Sequence, residues 1–294
     1  MNKHKQKNKV IAIVGATASG KTAYAVELAR KIDAEIVSAD SRYVYKGFDI
    51  GTAKPTVEER QGIPHYMIDI VEPDFEYSSG LFVSQAQKHI NDILSRGKVP
   101  IVTGGTGLYF NMLFQSYQLP NIEPDKKLRE ELSHYEFDEL FKMLLELDDS
   151  AKDAKIEKND KKKLIRAIEI VKKTGLPLSE SRAKGECEYD VEWIGLNFER
   201  EELYDRINKR VDWMIEAGLV EETKKLLDKF GRIPNLVDTI GYREIIKYFD
   251  GEMPFEEAVS KLKQNSRNYA KRQLTWFRKN ENIKWNVYPN RHKK

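Results

Sequence analysis

The sequence predicts an α/β fold: a parallel sheet flanked by helices, interrupted by an all-helical insertion domain. Three observations lead there. Short β-branched apolar runs alternate with stretches of helical spacing, and each run ends in a glycine or acidic loop. A charge-rich helical stretch then separates the last apolar run from the others. Residues 10–14 form the first run, ending at Gly15, and residues 21–32 follow with Ala25, Leu28, Ala29 and Ile32 at helical intervals. Residues 35–39 are a second strand, ending in Asp40. Residues 81–96 read as a helix with Phe82, Ala86, Ile90 and Ile93 or Leu94 on one face, and residues 99–103 as a third strand stopped by Gly104 and Gly105. After Pro120 the texture changes: residues 121–185 are charged and helical in pattern, and no strand signal returns until residues 191–196. The return makes the helical stretch an insertion (residues 121–190) between a core's first part (1–120) and its remainder (191–294). Long helices are expected at 201–230, 239–249 and 254–280. Ligands of such sheets bind beyond the carboxyl ends of the strands, where the three loops converge.

Composition narrows the class. Of 294 residues, 40% are hydrophobic, enough for a sizeable core, while 33% are charged, as in a water-soluble protein. The mean hydropathy is −0.62. No apolar run approaches the ~20 residues a bilayer span needs, so no membrane association is expected. A single cysteine, Cys187, makes no internal disulfide and fits a reducing cytoplasm. The basic N-terminus (Lys3, His4, Lys5, Lys7, Lys9) precedes too short an apolar run for a signal peptide and reads as a solvated tail. The net charge of +3 hides an asymmetry: residues 1–150 carry 18 basic and 22 acidic side chains, residues 151–294 carry 32 and 25. Within 259–294 there are 11 basic residues and a single acid, Glu281. That imbalance suggests a polyanionic partner for the C-terminal half, or else a solubilising tail. No coiled-coil pattern or dimer seam is visible, so a monomer is expected.

Gly15-Ala16-Thr17-Ala18-Ser19-Gly20-Lys21-Thr22 is a complete G-x-x-x-x-G-K-[ST] loop between a predicted strand and helix. Its amides and the helix N-terminus suit phosphate oxygens, Lys21 adds a full charge, and Thr22 or Ser19 offers a hydroxyl to phosphate or Mg²⁺. Asp40 has two readings from spacing alone. It is a carboxylate steadying metal-bound water, or a general base beside the phosphates. The third strand ends in Thr-Gly-Gly-Thr-Gly, without an acid to direct an attacking water. His65 lacks partners at metal-ligand spacing, so no zinc site is expected.

Further segments make the sequence recognisable. Asp40-Ser41-Arg42, Val44-Tyr45-Lys46-Gly47 and Asp49-Ile50-Gly51-Thr52-Ala53-Lys54-Pro55 follow the loop, and Gly104-Gly105-Thr106-Gly107-Leu108-Tyr109 comes later. Then come Asn159-Asp160, Leu164-Ile165-Arg166-Ala167, Ile240-Gly241-Tyr242-Arg243-Glu244 and the run from Ala270 through Lys271, Arg272 and Gln273 to Arg278. Together these segments closely resemble the tRNA dimethylallyltransferases, over nearly the whole chain.

The resemblance implies transfer of a dimethylallyl group from dimethylallyl diphosphate to the exocyclic amine of adenine 37, next to the anticodon of tRNA. The P-loop would hold diphosphate instead of serving ATP hydrolysis, with Mg²⁺ as cofactor. Asp40 matches the family's base, Thr17 its diphosphate-contacting threonine, and Arg210 (favoured over Arg206 on the same helix face) completes a clamp with Lys21. The tRNA would be the partner of Asp40, Ser41, Arg42, Tyr43 and Thr106, of Lys162, Lys163 and Arg166 in the insertion, and of Gly241, Tyr242, Arg243, Lys271, Arg272 and Arg278. Tyr43 departs from the small or amide residue common there. Helical spacing of Tyr269, Gln273, Trp276 and Phe277 suggests that Trp276 and Phe277 are structural. Three other activities remain open on the residues: prenylation of free adenosine nucleotides, a P-loop small-molecule kinase, and a non-catalytic RNA-binding protein.

Overall fold

The structure, a computed structural model, describes residues 8–115, 122, 124–153, 160–181 and 187–287. The basic residues 3–7 and Asn159 lie outside the described residues. The chain divides into two compact units, Met1–Phe110 with Glu188–Lys294, and Asn111–Cys187. The sequence reading draws its boundaries at 120/121 and 190/191 instead.

In the first unit, β1 (Asn8–Gly15) is buried from Val10 onward, as a strand covered on both faces requires. It turns into α1 (Lys21–Ile32), whose Ala25, Val26 and Ala29 pack against Ile11, Ile13, Ile36 and Ile101 of the sheet. Asp33, in left-handed conformation, ends the helix, and β2 (Ala34–Ser38) follows at once. Then come α2 (Val57–Arg60), held by a Thr56–Glu59 capping box, β3 (His65–Tyr66) and α3 (Ser79–Ser95), capped by Ser78. β4 (Val99–Gly104) and α4 (Gly107–Phe114) follow, and the second unit begins within α4, at Asn111.

That second unit is helical: α5 (Lys126–Ser133), α6 (Phe137–Leu147), α7 (Lys161–Thr174) and α8 (Leu178–Ser181), with a 3₁₀ turn at Asp149–Asp153. Leu132, Leu140, Leu144, Leu164 and Ile168 form its own core.

β5 (Tyr189–Asn197) re-enters the sheet beside β1, followed by α9 (Arg200–Glu216), α10 (Leu219–Phe230), α11 (Pro234–Val237), α12 (Tyr242–Phe249), α13 (Phe255–Phe277) and β6 (Lys284–Val287). The six strands run in the order β3-β2-β4-β1-β5-β6, and every pairing is parallel. This is the α/β class the sequence predicts. No described helix is long and apolar enough to cross a membrane.

Three details differ from the sequence reading. The helix expected over 201–230 is two helices, because Gly218 takes φ 101° and restarts the chain as the cap of α10. The helix expected from 239 begins only at Tyr242, after Gly241 at φ 106°. Strands β3 and β6 carry no apolar run long enough to announce them: one is two residues long, and the other alternates Lys284 and Asn286 with Trp285 and Val287.

A buried carboxylate pins the amino end of β2. Glu35, 2% exposed, meets Arg96 through both oxygens at 2.6 Å, with the Tyr66 hydroxyl at 2.8 Å and Lys98 at 3.3 Å. The Arg96 hydrogen bonds outweigh burial and lower its pKa from 4.5 to about 2. A folded value below the unfolded one means stability that is present above pH 4.5 and lost as the pH falls toward 2. Arg96→Ala is therefore expected to lower the melting temperature at pH 7 by several degrees, with the gap to wild type narrowing in that acid window. A gap independent of pH in calorimetric scans would place the stabilisation elsewhere.

Candidate active site

The carboxyl ends of β1, β2 and β4 open into a cleft of about 870 Å³. Its floor is the loop between β1 and α1. Lys21 Nζ donates to Ala16 O at 2.6 Å, so the ammonium lies over its own loop. Burial, then the charge of Arg210, pull its pKa down to about 7, while Asp40 acts in the opposite sense. An ammonium so poorly compensated gains from an incoming polyanion. The first amides of α1 have no acceptor within the helix and add donors at the same place.

Three side chains from far along the chain fasten this loop. From α9, Arg210 donates through Nη1 to Thr17 Oγ1 (2.8 Å) and through Nη2 to Thr52 O (2.7 Å). One turn earlier Arg206 donates to Ala18 O (2.9 Å) and lies 4.7 Å over the Phe198 ring. From α13, Gln273 accepts the Thr17 amide at 2.8 Å and donates to Gly105 O at 2.9 Å, with only 5% of its surface exposed. A Cβ on Gly105 would come within 2.1 Å of Gln273 Nε2, so glycine is what permits that bridge. The sequence reading treats Gln273 as one position of an aromatic stripe. Its one signal there is a lone polar side chain at core spacing.

Asp40 follows β2 into the cleft. Its Oδ1 accepts the Arg42 amide at 2.9 Å, and the neighbouring Ser41 amide donates to Thr106 Oγ1 at 3.0 Å. Tyr43 donates to Ala53 O at 2.9 Å; burial first, and then the charge of Asp40, hold its phenol well above the usual range. Tyr269 is likewise pushed up to about 12 by burial and by Asp40, and Arg272 stacks 5.7 Å from its ring.

The cleft brings together most of the residues the sequence proposes. Thr17, Ala18, Ser19, Gly20, Lys21 and Thr22 line it, as do Asp40, Ser41, Arg42, Tyr43, Arg210, Arg243 and Arg272. Gly15 and Ala16 are buried at its base, Thr106 is occupied by Ser41, and Lys271 and Arg278 are exposed at the end of α13. Tyr242 and Gly241 need correction as tRNA contacts. Tyr242 is fully buried, edge-on to Phe48 at 4.8 Å, with its hydroxyl donating to Glu222 at 2.6 Å, and buried Gly241 donates its amide to Glu244. They shape the wall that presents Arg243, itself paired with Glu244 at 2.7 Å.

In the helical unit, Lys162 and Lys163 are exposed on α7, Lys163 pairing with Asp160 at 2.5 Å. Arg166 instead turns inward to Glu169 at 2.5 Å, which also takes Arg129 at 2.8 Å and the Asp125 amide. Burial would raise the Glu169 pKa, but these donors outweigh it and bring it to about 2. Arg166 thus neutralises a buried acid and is not a free cation. Phe277 is buried and edge-on to Phe110, as a structural residue would be. Trp276 covers Gly107, yet leaves 40% of its surface open.

Among the described residues no group of three His, Cys, Asp or Glu could hold a metal ion. Two hydroxyls lining the cleft, Ser19 Oγ and Thr103 Oγ1, are sealed from solvent and have no hydrogen-bond partner there. Their fit to a hydrated cation beside a phosphate is chemically sound, since Mg²⁺ favours oxygen donors and keeps several waters.

A phosphate cradle closed by arginines from a later helix, facing one strand-end aspartate and no acid on the central strand, fits a P-loop group transferase. Comparison with known proteins narrows the class: the IPP transferase family model matches residues 43–280, and the chain belongs to that family. It is 46% identical over 284 residues to a tRNA dimethylallyltransferase of Acetivibrio thermocellus, covering 94% of this chain and 90% of that one. A Bacillus cytotoxicus tRNA dimethylallyltransferase is equally similar, 46% over 288 residues, with 96% and 90% covered. Among solved structures, the full-length tRNA isopentenylpyrophosphate transferase of Bacillus halodurans aligns with TM-score 0.72 and 45% identity, covering 96% and 90%. A eukaryotic dimethylallyltransferase acting on tRNA aligns with TM-score 0.81 and 31% identity, covering 92% and 70%.

Proposed function

We propose that the protein transfers the dimethylallyl group of dimethylallyl diphosphate to the exocyclic amine of adenine 37 in tRNA and releases diphosphate. The observation that carries this reading is the pairing, in one cleft, of the P-loop with Asp40, while β4 ends in Thr103 and Gly104, followed by Gly105. The loop amides and Lys21 bind the diphosphate. Arg210, braced on Thr17 and Thr52, faces the charge that grows on it as the carbon–oxygen bond breaks. Asp40 accepts the proton of the attacking amine, which is conjugated into the purine and poorly nucleophilic without a base. Ser19 and Thr22 would hold Mg²⁺, which would supply further positive charge to the leaving group.

The target adenine cannot react while stacked in the anticodon loop, so it is extruded into the cleft past Ser41, Arg42 and Tyr43. Lys271, Arg272 and Arg278 take backbone phosphates, and Lys162 and Lys163 do so from the helical unit. Replacing Lys271 and Arg272 together by alanine is expected to weaken tRNA binding and to flatten the log K against log salt slope by about 1–2. A slope equal to wild type in filter-binding titrations would place those cations away from RNA. The reading places the reaction in the cytoplasm and takes the protein as a monomer.

The experiment that tests the whole reading supplies labelled dimethylallyl diphosphate and Mg²⁺ with unmodified tRNA, then with AMP or ATP instead. Label is expected in tRNA alone, at position 37 after nuclease digestion. Label entering AMP but not tRNA would overturn the reading, and phosphate transfer from ATP would point to a kinase.

A further inference from the structure

We infer that Thr103 and Ser38, joined by Ser19 and Thr22, form a shell of neutral hydroxyls that receives the divalent cation only as a complex with diphosphate. The inference rests on the diphosphate-binding reading of the P-loop and adds two residues and an order of binding to it.

The register of the sheet brings the hydroxyls together. β2 and β4 are neighbours, with Ile36 opposite Ile101 and, one pair of residues further on, Ser38 opposite Thr103. Ile36 and Ile101 both pack under α1 with Ala25, Val26 and Ala29. Side chains two apart on a strand share a face, so Ser38 and Thr103 lie on that same α1 face at its carboxyl end. There α1 begins, with Thr22 in its first turn and Ser19 just before it. All four residues line the cleft. Ser19 is 1% exposed, Ser38 4% and Thr103 8%, and Ser19 Oγ and Thr103 Oγ1 have no partner among the described residues. Buried polar atoms in native proteins are as a rule satisfied, and two unsatisfied hydroxyls on residues that line one cleft point to a bound ligand that completes them.

The chemistry of the donors sets the order of binding. P-loop nucleotide hydrolases hold Mg²⁺ between a loop hydroxyl and a strand-end aspartate. Here β4, next to β1, carries Thr103 at its penultimate position and ends in Gly104, and the carboxylate beyond β2, Asp40, already has Oδ1 committed to the Arg42 amide. Four neutral oxygens hold the waters of a hard cation but do not offset its charge. The diphosphate oxygens do.

Manganese provides a probe with a magnetic signal. Titrated into wild-type protein, Mn²⁺ is expected to stay free at submillimolar concentration without diphosphate and to bind once inorganic diphosphate is added, read by electron paramagnetic resonance. Thr103→Val keeps the shape and removes the hydroxyl. It is expected to weaken Mn²⁺ binding to the diphosphate complex by ~10–100-fold, with metal-free diphosphate affinity unchanged. Ser38→Ala is expected to act in the same direction, and Thr103→Asp to bind Mn²⁺ without diphosphate. Diphosphate binding with Mn²⁺ affinity untouched in both Thr103→Val and Ser38→Ala would overturn the hydroxyl shell alone. Equally tight Mn²⁺ binding to wild type with and without diphosphate would overturn the order. No binding of diphosphate at all would overturn both this inference and the reading it rests on.

Discussion

Asp40→Ala is expected to lower turnover by ~10²–10⁴-fold while diphosphate binding survives, the signature of a lost general base. Geometry makes the residue suitable for that task. The short turn after β2 carries it into the cleft, and the Arg42 amide fixes one carboxylate oxygen, which sets the orientation of the other. The same turn is steadied from behind by Thr106, which takes the Ser41 amide with its hydroxyl and donates its own amide to Ala39 O. Two neighbouring phenols, Tyr43 and Tyr269, have raised pKa values, from burial first and then from the Asp40 charge, so both stay protonated and neither competes as a base at neutral pH. Asp40→Asn separates position from chemistry. The amide oxygen still accepts from Arg42 but takes up no proton, so turnover should fall as far as in the alanine variant. Single-turnover prenylation of an anticodon stem-loop, with a parallel diphosphate titration, measures both. Turnover within a few-fold of wild type in Asp40→Asn would return the aspartate to a positional role.

What the sequence made legible follows from the range of the forces involved. The strands at β1, β2 and β4 announce themselves because burial on both faces demands continuous apolar runs, and the loop after β1 because its glycines and Lys21 sit at fixed offsets. Arg210 was reachable through the resemblance and through its spacing from Arg206. Gln273 was not, because its meaning lies in contacts with Thr17 and Gly105, which are 256 and 168 residues away in the chain. Tyr242 was misjudged for a related reason. An aromatic within a recognised segment looks exposed until one sees that Gly51, where a Cβ would sit 2.4 Å from the ring, and Glu222 from another helix enclose it. Arg166 carried a local warning, since Glu169 lies one helical turn further on, where an ion pair forms within the same helix. Sequence alone did not say that Glu169 is buried, and burial turns that arginine inward.

Arg210→Ala is expected to lower kcat/KM by ~10²–10³-fold, because in the proposed reaction the guanidinium stabilises the charge that develops on the departing diphosphate. The structure gives the side chain two simultaneous duties. One guanidinium nitrogen holds Thr17 Oγ1, in the loop, and the other holds Thr52 O, in the turn before α2. A lysine at this position retains the charge but cannot span two acceptors in a fixed plane. Arg210→Lys should therefore recover part of the diphosphate affinity and little of the turnover. Arg206 supplies the internal comparison, since it touches the same loop through Ala18 O while stacking on Phe198. If Arg210 acts by stabilising the leaving group, Arg206→Ala should cost much less in turnover than Arg210→Ala. Equal losses in the two alanine variants, measured under single-turnover conditions at saturating tRNA, would mean that both arginines merely hold the loop in shape, and the charge on the leaving group would then fall to Lys21 and the amides.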